Sequence, residues 1–516
     1  MHHSQTRPKP TATSNSSSLC HSRPSCSSRH ATVVLSCKAS SAPAAQYEPV
    51  PAVRGGLPYI GVLHRTPVNQ LFSFVEREFA ETGVRCLDLQ VFGRHAVYTR
   101  HPEDIGSVLH NPSKWTKAPL MMKRLDRWLG EGLVSELDPA RHAAARDVLA
   151  PAFRAQSVKD LVPLFADVGQ QLAAALLSQA GSTIELEPIT RRATLDVIGR
   201  AGFGHDFGAL QMAQQQQQQQ DQVDIVKLFD DILDTSMLLI MNPPLPDALV
   251  PGHSSYCAAV DALEAVALRL LQERRQQGIS PQNRSLLSFM LAAQQAAPGG
   301  LVSDKHIRDQ LMTFMLAGSD TSATSLAFCL YELARRPQAQ QAVRQELQQV
   351  LEDTPIDQLQ PDAFSSLPYL TGCINECLRL YPAAPGLARI PQQDAVLGPH
   401  LVPQGLPVVV DFFSCHRHPE FWPRASEWLP ERWLPSNLKA LGPQHPDAFM
   451  PFSAGSRSCI GRYFAMLEMQ VMLAVVLRQL SFAAVGGEGS GQAAAAQSFT
   501  LKSRDGLRVV PTAAGR

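Results

Sequence analysis

Phe452, Gly455, Arg457, Cys459 and Gly461 have the types and the spacing for metal-thiolate chemistry, in the pattern Phe-x-x-Gly-x-Arg-x-Cys-x-Gly. A thiolate that binds a haem iron has to sit at the end of a tight loop, aimed at the ring and shielded from water. Gly455 allows the backbone such a loop needs, and Gly461 lets the backbone approach a flat ligand. An Ala/Leu/Met-rich stretch with helical spacing follows at 462–480. Its N-terminal amides and dipole point back at the sulfur and favour the anion. Arg457 is placed to meet a propionate carboxylate. The plainer reading is a buried structural cysteine on a Gly/Ser loop. A Phe, two Gly, an Arg and a Cys all holding their places argue against it.

This segment resembles the cysteine-ligand loop of the cytochrome P-450 family. The resemblance implies a mainly α fold with a small β region. It also implies a heme b (iron protoporphyrin IX) with an axial cysteine thiolate, Cys459. The stretch 130–153 is similar to the family's propionate-binding helix. His142 and Arg146 lie four apart there, on one helix face, which suits a pair of propionates. Many family members place Trp where His142 stands, and both residues can donate a hydrogen bond. Leu387, Ala388 and Arg389 resemble the strand beside the haem, with Arg389 toward a propionate.

The elements that must position these groups follow from pattern. A helix is expected over 303–336, with Ser303 as its cap and Pro337 after its end. About 34 residues make about 50 Å of helix, enough to cross a domain. In its middle stands Ala-Gly-Ser-Asp-Thr-Ser, 317–322. Gly and Thr there weaken the ladder, and a local bulge is expected that leaves room for dioxygen and a water. The segment resembles the family's oxygen-activation motif, in which Thr321 would hydrogen-bond the bound dioxygen and Asp320 would relay protons. Glu376 and Arg379 form Glu-x-x-Arg on a helix, and Pro430, Glu431, Arg432 and Trp433 follow later. In the family this Glu and Arg interlock with the second Arg and pin the cysteine loop. The bidentate guanidinium explains the choice of Arg. Residues 415–419 (Cys-His-Arg-His-Pro) lack a zinc spacing and resemble the family's turn before that segment.

Smaller elements complete the pattern. Residues 67–82 read as a helix, and 86–92 and 96–98 as a hairpin turned at Gly93 and Arg94. Residues 102–110 read as a helix, 155–300 as largely helical, and 501–510 as a closing strand. A polyglutamine run at 214–220 reads as a loop insertion without chemistry.

Composition sets the bounds. The chain has 516 residues, is 45% hydrophobic and carries zero formal net charge. There is no global pull toward nucleic acid or acidic lipid. Ten scattered cysteines without a CxxC pair point to a reducing compartment. No apolar run reaches the length of a transmembrane helix. Residues 1–46 hold no Asp or Glu and are Ser-rich and basic, the composition of an organelle transit peptide. A plastid is the expected address and a mitochondrion the rival. The haem domain is expected over 47–516. Only 57 residues follow Cys459, too few for a flavin domain, so electrons are expected from ferredoxin or a flavoprotein reductase.

The implied reaction inserts one oxygen atom of dioxygen into a lipophilic substrate, by hydroxylation or epoxidation. Carotenoids, fatty acids and terpenoids are the substrate classes that fit a plastid, and peripheral membrane contact follows from where they dissolve. Two other readings stand beside this one. Some plastid relatives rearrange or dehydrate fatty-acid hydroperoxides without dioxygen, but they lack the helix threonine. A non-catalytic haem sensor needs no proton relay.

Overall fold

In a computed structural model of the chain, residues 47–214, 223–241, 245–278, 285–486 and 493–515 are described. The expected leader, 1–46, and all but the first residue of the polyglutamine run lie outside them.

The first half alternates helix and short strand. Helix α1 (Leu71–Thr82) stops at Gly83, whose φ is +67°. The hairpin β1 (Cys86–Val91) and β2 (Arg94–Thr99) pairs Val91 with Arg94. Its turn residues are therefore Phe92 and Gly93, with φ of 48° and 71°, one residue earlier than the sequence suggests. A two-residue turn that matches strand twist needs positive φ at both positions. Helix α2 (Pro102–Leu109) opens on proline with Glu103 and Asp104 in its first turn, where the dipole favours acids. Strand β3 (Trp115–Lys117), α3 (Pro119–Leu129) and α4 (Pro139–Leu149) follow. Asp138 caps α4 by accepting from the Arg141 amide. The stretch 130–138 is turn rather than helix, and Asp309 holds it by accepting from the Glu131 amide at 2.8 Å.

The expected helical region contains α5 (Ala155–Lys159), α6 (Val162–Leu177), α7 (Leu186–Ile198), α8 (Ala209–Gln214), α9 (Ile225–Met241), α10 (His253–Gln277) and α11 (Leu286–Ala296). The two-residue strand β4 (Ile184–Glu185) interrupts it. Helix α12 (Asp304–Ala334) starts where Ser303 accepts from the His306 amide. It is buried on nearly every side, polar residues such as Asp309, Asp320 and Ser322 included. Ile307, Leu311 and Met315 join one apolar cluster, and Leu326, Phe328 and Leu333 join the other. The segment 317–325 lies between the two.

The bulge expected there is absent: α12 is unbroken α-helix from Asp304 to Ala334. Gly318 serves a different purpose. A Cβ on it would come within 2.7 Å of the Ile198 side chain, so glycine lets α7 press against α12. Thr321 donates to the Ala317 carbonyl at 2.8 Å, and Thr194 of α7 donates to the Ser319 carbonyl at 2.9 Å. These hydroxyls add to the carbonyls without opening the ladder. A π-type turn appears instead at Gly199–Phe203, after α7.

The second half supplies α13 (Pro337–Leu351), α14 (Pro368–Leu380), β5 (Gly386–Pro391), β6 (Ala395–Leu397), β7 (His400–Val402), β8 (Val408–Asp411), α15 (Phe412–Cys415), α16 (Leu438–Leu441) and α17 (Arg462–Gln479). Strands β9 (Leu480–Ala484), β10 (Ala495–Gln497), β11 (Leu501–Ser503) and β12 (Arg508–Ala513) end it. The expected strand 501–510 is thus two strands. They are parted at Gly506, which has φ +81°; β11 pairs with β10, and β12 with β9 and β4. The largest sheet runs β1-β2-β8-β5-β3. Among the described residues no helix is long and apolar enough to cross a membrane.

Candidate functional site

The loop before α17 is built around its backbone. The Cys459 amide donates to the Phe452 carbonyl at 2.9 Å and closes the loop. Gly455 has φ +70°, and a Cβ on it would strike the Leu109 carbonyl oxygen at 2.3 Å. Only glycine fits there. Gly461 differs. A Cβ on it would lie 3.6 Å from the Phe153 ring and 3.9 Å from the Cys459 sulfur, with nothing closer. The chain leaves a cradle beside the sulfur that its own atoms do not fill.

Cys459 is surrounded by protein, and burial pushes its thiol up. It is nevertheless the exposed one among the free cysteines of the described residues. Its free surface therefore faces an interior hollow. The Gly461 amide and the Arg146 and Arg462 guanidiniums pull the thiol back down, but burial prevails. The Gly461 amide thus favours the anion, in the direction expected of the α17 N-terminus. A bound cation deprotonates a coordinating thiol outright. Phe153 joins the loop to α12, since its ring also stacks on Phe314 at 5.9 Å.

One edge of the site carries a ring of cations. Lys117 and Arg389 stand directly opposite each other on β3 and β5, an arrangement that destabilises a sheet by itself. Lys117 donates from Nζ to the Val134 carbonyl at 2.8 Å and to the Glu136 carbonyl at 3.0 Å. Arg457 donates to the Glu136 carbonyl at 2.9 Å. Burial, aided by Arg457 and Arg389, pushes Lys117 down to about 7. Burial and Arg457 push Arg389 down to about 10. His142 is buried and held neutral, at about 3, by burial and by Arg457, Lys117, Arg146 and Arg389. Arg146 donates to the Ser458 carbonyl at 2.7 Å, so it braces the cysteine loop. A partly buried cationic set with mostly carbonyl partners fits a ligand with two carboxylates. Lys117 has no sequence motif; only strand register reveals it.

The charged cluster behind the loop is fully buried. Glu376 receives Arg379 Nε and NH2 at 3.0 and 2.8 Å, Arg432 Nε at 3.1 Å and Trp433 Nε1 at 3.0 Å. Burial would raise this carboxyl, yet Arg379 and Arg432 hold it below its ordinary value. Arg379 reaches on to the carbonyls of His416 and Ala425, each at 2.8 Å. The Cys-His-Arg-His-Pro stretch is packed, not ligating. His416 Nε2 accepts from the Met450 amide at 3.1 Å, and Nδ1 lies 3.2 Å from the Arg379 carbonyl.

On α12, Asp320 is 2% exposed. Arg191 of α7 donates Nε to its Oδ1 at 2.7 Å, and Thr500 donates to its Oδ2. Arg191 also pairs with Asp230, which Lys502 meets at 3.1 Å. A chain of charges thus leads from Lys502 near the surface to Asp320. Thr321 and Asp320 are neighbours on one helix, whereas Cys459 and Arg457 come from the loop before another. Phe153 and Ile460 beside the cysteine loop pack in the same apolar cluster as Phe314 and Leu316 of α12, so loop and helix border one apolar region.

Comparison with known proteins agrees with this geometry. The cytochrome P450 family profile matches residues 51–504. Human cytochrome P450 4F12 is 32% identical over 400 residues, 74% of each chain. The cytochrome P450 monooxygenase FSL4 of Gibberella zeae is 28% identical over 444 residues, 80% of this chain and 76% of that one. Among solved structures, the cytochrome P450DA heme domain superposes with a TM-score of 0.77 at 24% identity, covering 90% of this chain and 98% of its own. The fold is that of this heme domain, mainly α with small sheets. The chain belongs to the cytochrome P450 family. It is a monooxygenase that binds heme b through an axial cysteine thiolate.

Proposed function

We propose that Cys459 is the axial ligand and that Lys117, His142, Arg389 and Arg457 hold the two haem carboxylates. The free cradle at Gly461 beside the Cys459 sulfur carries this reading. Phe452 and Arg146 fix the loop, through the Cys459 amide and the Ser458 carbonyl. When bound, the haem activates dioxygen, so that one atom enters the substrate and the other leaves as water. The protein's own residues do the rest. Thr321 supplies a hydroxyl oriented by the Ala317 carbonyl, Asp320 holds and passes protons, and the Arg191, Asp230 and Lys502 chain links Asp320 to the surface. Phe153, Phe314 and their neighbours exclude water.

The substrate is a lipophilic carotenoid, fatty acid or terpenoid, with the carotenoid ring preferred on the expected plastid address. The acid-free leader supports that address, and a plastid favours ferredoxin as electron donor. A fluorescent fusion of residues 1–46 tests the address; fluorescence in mitochondria overturns it. A spectral titration of the haem-loaded protein tests the substrate. Carotenoids, free fatty acids and fatty-acid hydroperoxides are each added while the iron spin state is followed. A low-to-high-spin shift with one class names it. Rapid loss of hydroperoxide without any reductase contradicts the monooxygenase assignment.

A further inference from the structure

Three successive residues at the tip between β10 and β11 reach three different helices. Ser498 donates Oγ to Asp234 of α9 at 2.8 Å. Phe499 sets its ring edge-on to Trp128 of α3, centroids 6.0 Å apart. Thr500 donates Oγ1 to Oδ2 of Asp320 on α12. The Ser498 amide donates to the Thr500 carbonyl at 2.9 Å, so the three residues move as one turn. The base of the turn is anchored where the Leu501 amide donates to the Ala383 carbonyl at 2.9 Å.

The three contacts differ in how easily they yield. Trp128 is fully buried, and Asp320 is fixed on its other oxygen by Arg191. Phe499 is only partly buried, and it packs on the apolar cluster that holds Phe314, Leu316 and Ile460. It is the tip residue that an apolar guest in the hollow would meet.

We infer that Thr500 is a positioning residue that ties the setting of Asp320 to whether the hollow is filled. This rests on the proposed role of Asp320. In the structure Phe499 rests on Trp128 and Thr500 occupies Oδ2. A guest that displaces Phe499 carries Thr500 with it, and a hydrogen bond does not survive about 1 Å of stretch. Oδ2 then needs a new donor, because a buried carboxylate oxygen left unpaired is costly. The freed oxygen is then able to exchange protons, one residue before Thr321 in the chain. Such a link suits a monooxygenase. Dioxygen, two electrons from the redox partner and two protons give hydrogen peroxide when no C–H bond is present. With a substrate, the same inputs give hydroxylated product and water.

The test reads the Asp320 carboxylate by infrared spectroscopy of ferric holoenzyme containing ¹³C-labelled aspartate. The band is assigned by its loss in Asp320→Asn. Thr500→Val is expected to shift the band, and Thr500→Ser to leave it at the wild-type position. The decisive variant is Phe499→Ala, which removes no polar atom yet is expected to shift the band in the same direction as Thr500→Val. A wild-type band in Phe499→Ala overturns the inference, and so does an unmoved band in Thr500→Val. The reduced carbon monoxide spectrum is recorded on every sample. Loss of its thiolate-type Soret band in the wild type counts against the haem reading alone, and its presence in the variants shows that they fold.

Discussion

Ser322, the residue after Thr321, donates its hydroxyl at 2.6 Å to Oε2 of Glu468 on α17. Glu468 is 0% exposed and its Oε1 has no partner. The helix that leaves Cys459 and the helix that carries Thr321 are thus joined through a buried carboxyl. Burial pushes that carboxyl up to about 8, and the Ser322 hydroxyl only partly opposes it.

The native state therefore keeps a proton on Glu468 above pH 4.5, where the unfolded chain loses it. Stability falls by about 1.4 kcal/mol per pH unit through this window. The fall levels off above about pH 8. Glu468→Gln keeps the neutral shape and removes the slope. Denaturant unfolding at pH 5 and pH 8 is expected to show the variant gaining on the wild type as pH rises. Parallel behaviour of the two proteins would show that Glu468 is not held protonated.

Glu376 compensates two arginines that are 0% exposed. Removing one partner of a buried charge set costs about 3–5 kcal/mol. Glu376→Gln is expected to lose haem and to melt well below the wild type. Arg379→Lys is expected to do nearly the same, because an ammonium cannot make both bonds to the carboxylate and reach three carbonyls. Thermal unfolding with haem absorbance checks both variants.

Much of this was legible from sequence, for identifiable reasons. The cysteine loop, the Thr321 helix and the Glu376, Arg379 and Arg432 set are local patterns with fixed spacing, and the fold follows from their order. Lys117 and Thr500 were not legible. Each acts through a pairing between residues far apart in the chain, Lys117 by strand register with Arg389 and Thr500 by touching Asp320. Glu468 left a trace as an acid within the apolar run 462–480. The bulge at Gly318 failed as an expectation because glycine has two uses in a helix, and here close packing against Ile198 is the one that applies.

Burial pushes Lys117 down to about 7 in the absence of a carboxylate partner. A ligand with two carboxylates raises that value, so binding takes up a proton once pH passes about 7. Haem affinity is expected to fall as pH rises from there, by at most about tenfold per unit. Lys117→Met is expected to bind less tightly at pH 7 and to lose the slope. Affinities measured by Soret titration from pH 7 to 9 decide the point.

Thr321 donates its hydroxyl to the Ala317 carbonyl, which orients its oxygen. Replacing it with valine keeps the shape and removes proton transfer, a contribution of about 10²-fold or more when a group acts as a general acid. Product formation is expected to drop while dioxygen consumption persists as hydrogen peroxide, and Thr321→Ser is expected to recover most of the loss. Product and peroxide are counted together for whichever lipid class shifts the spin state.

The identity of the sulfur ligand is tested most directly by the reduced carbon monoxide spectrum of wild-type protein and of Cys459→His. A thiolate-type Soret band in the wild type, absent from Cys459→His while haem is retained, is the predicted result. A thiolate-type band that survives in Cys459→His would place the ligand on another of the ten cysteines and contradict the site described above.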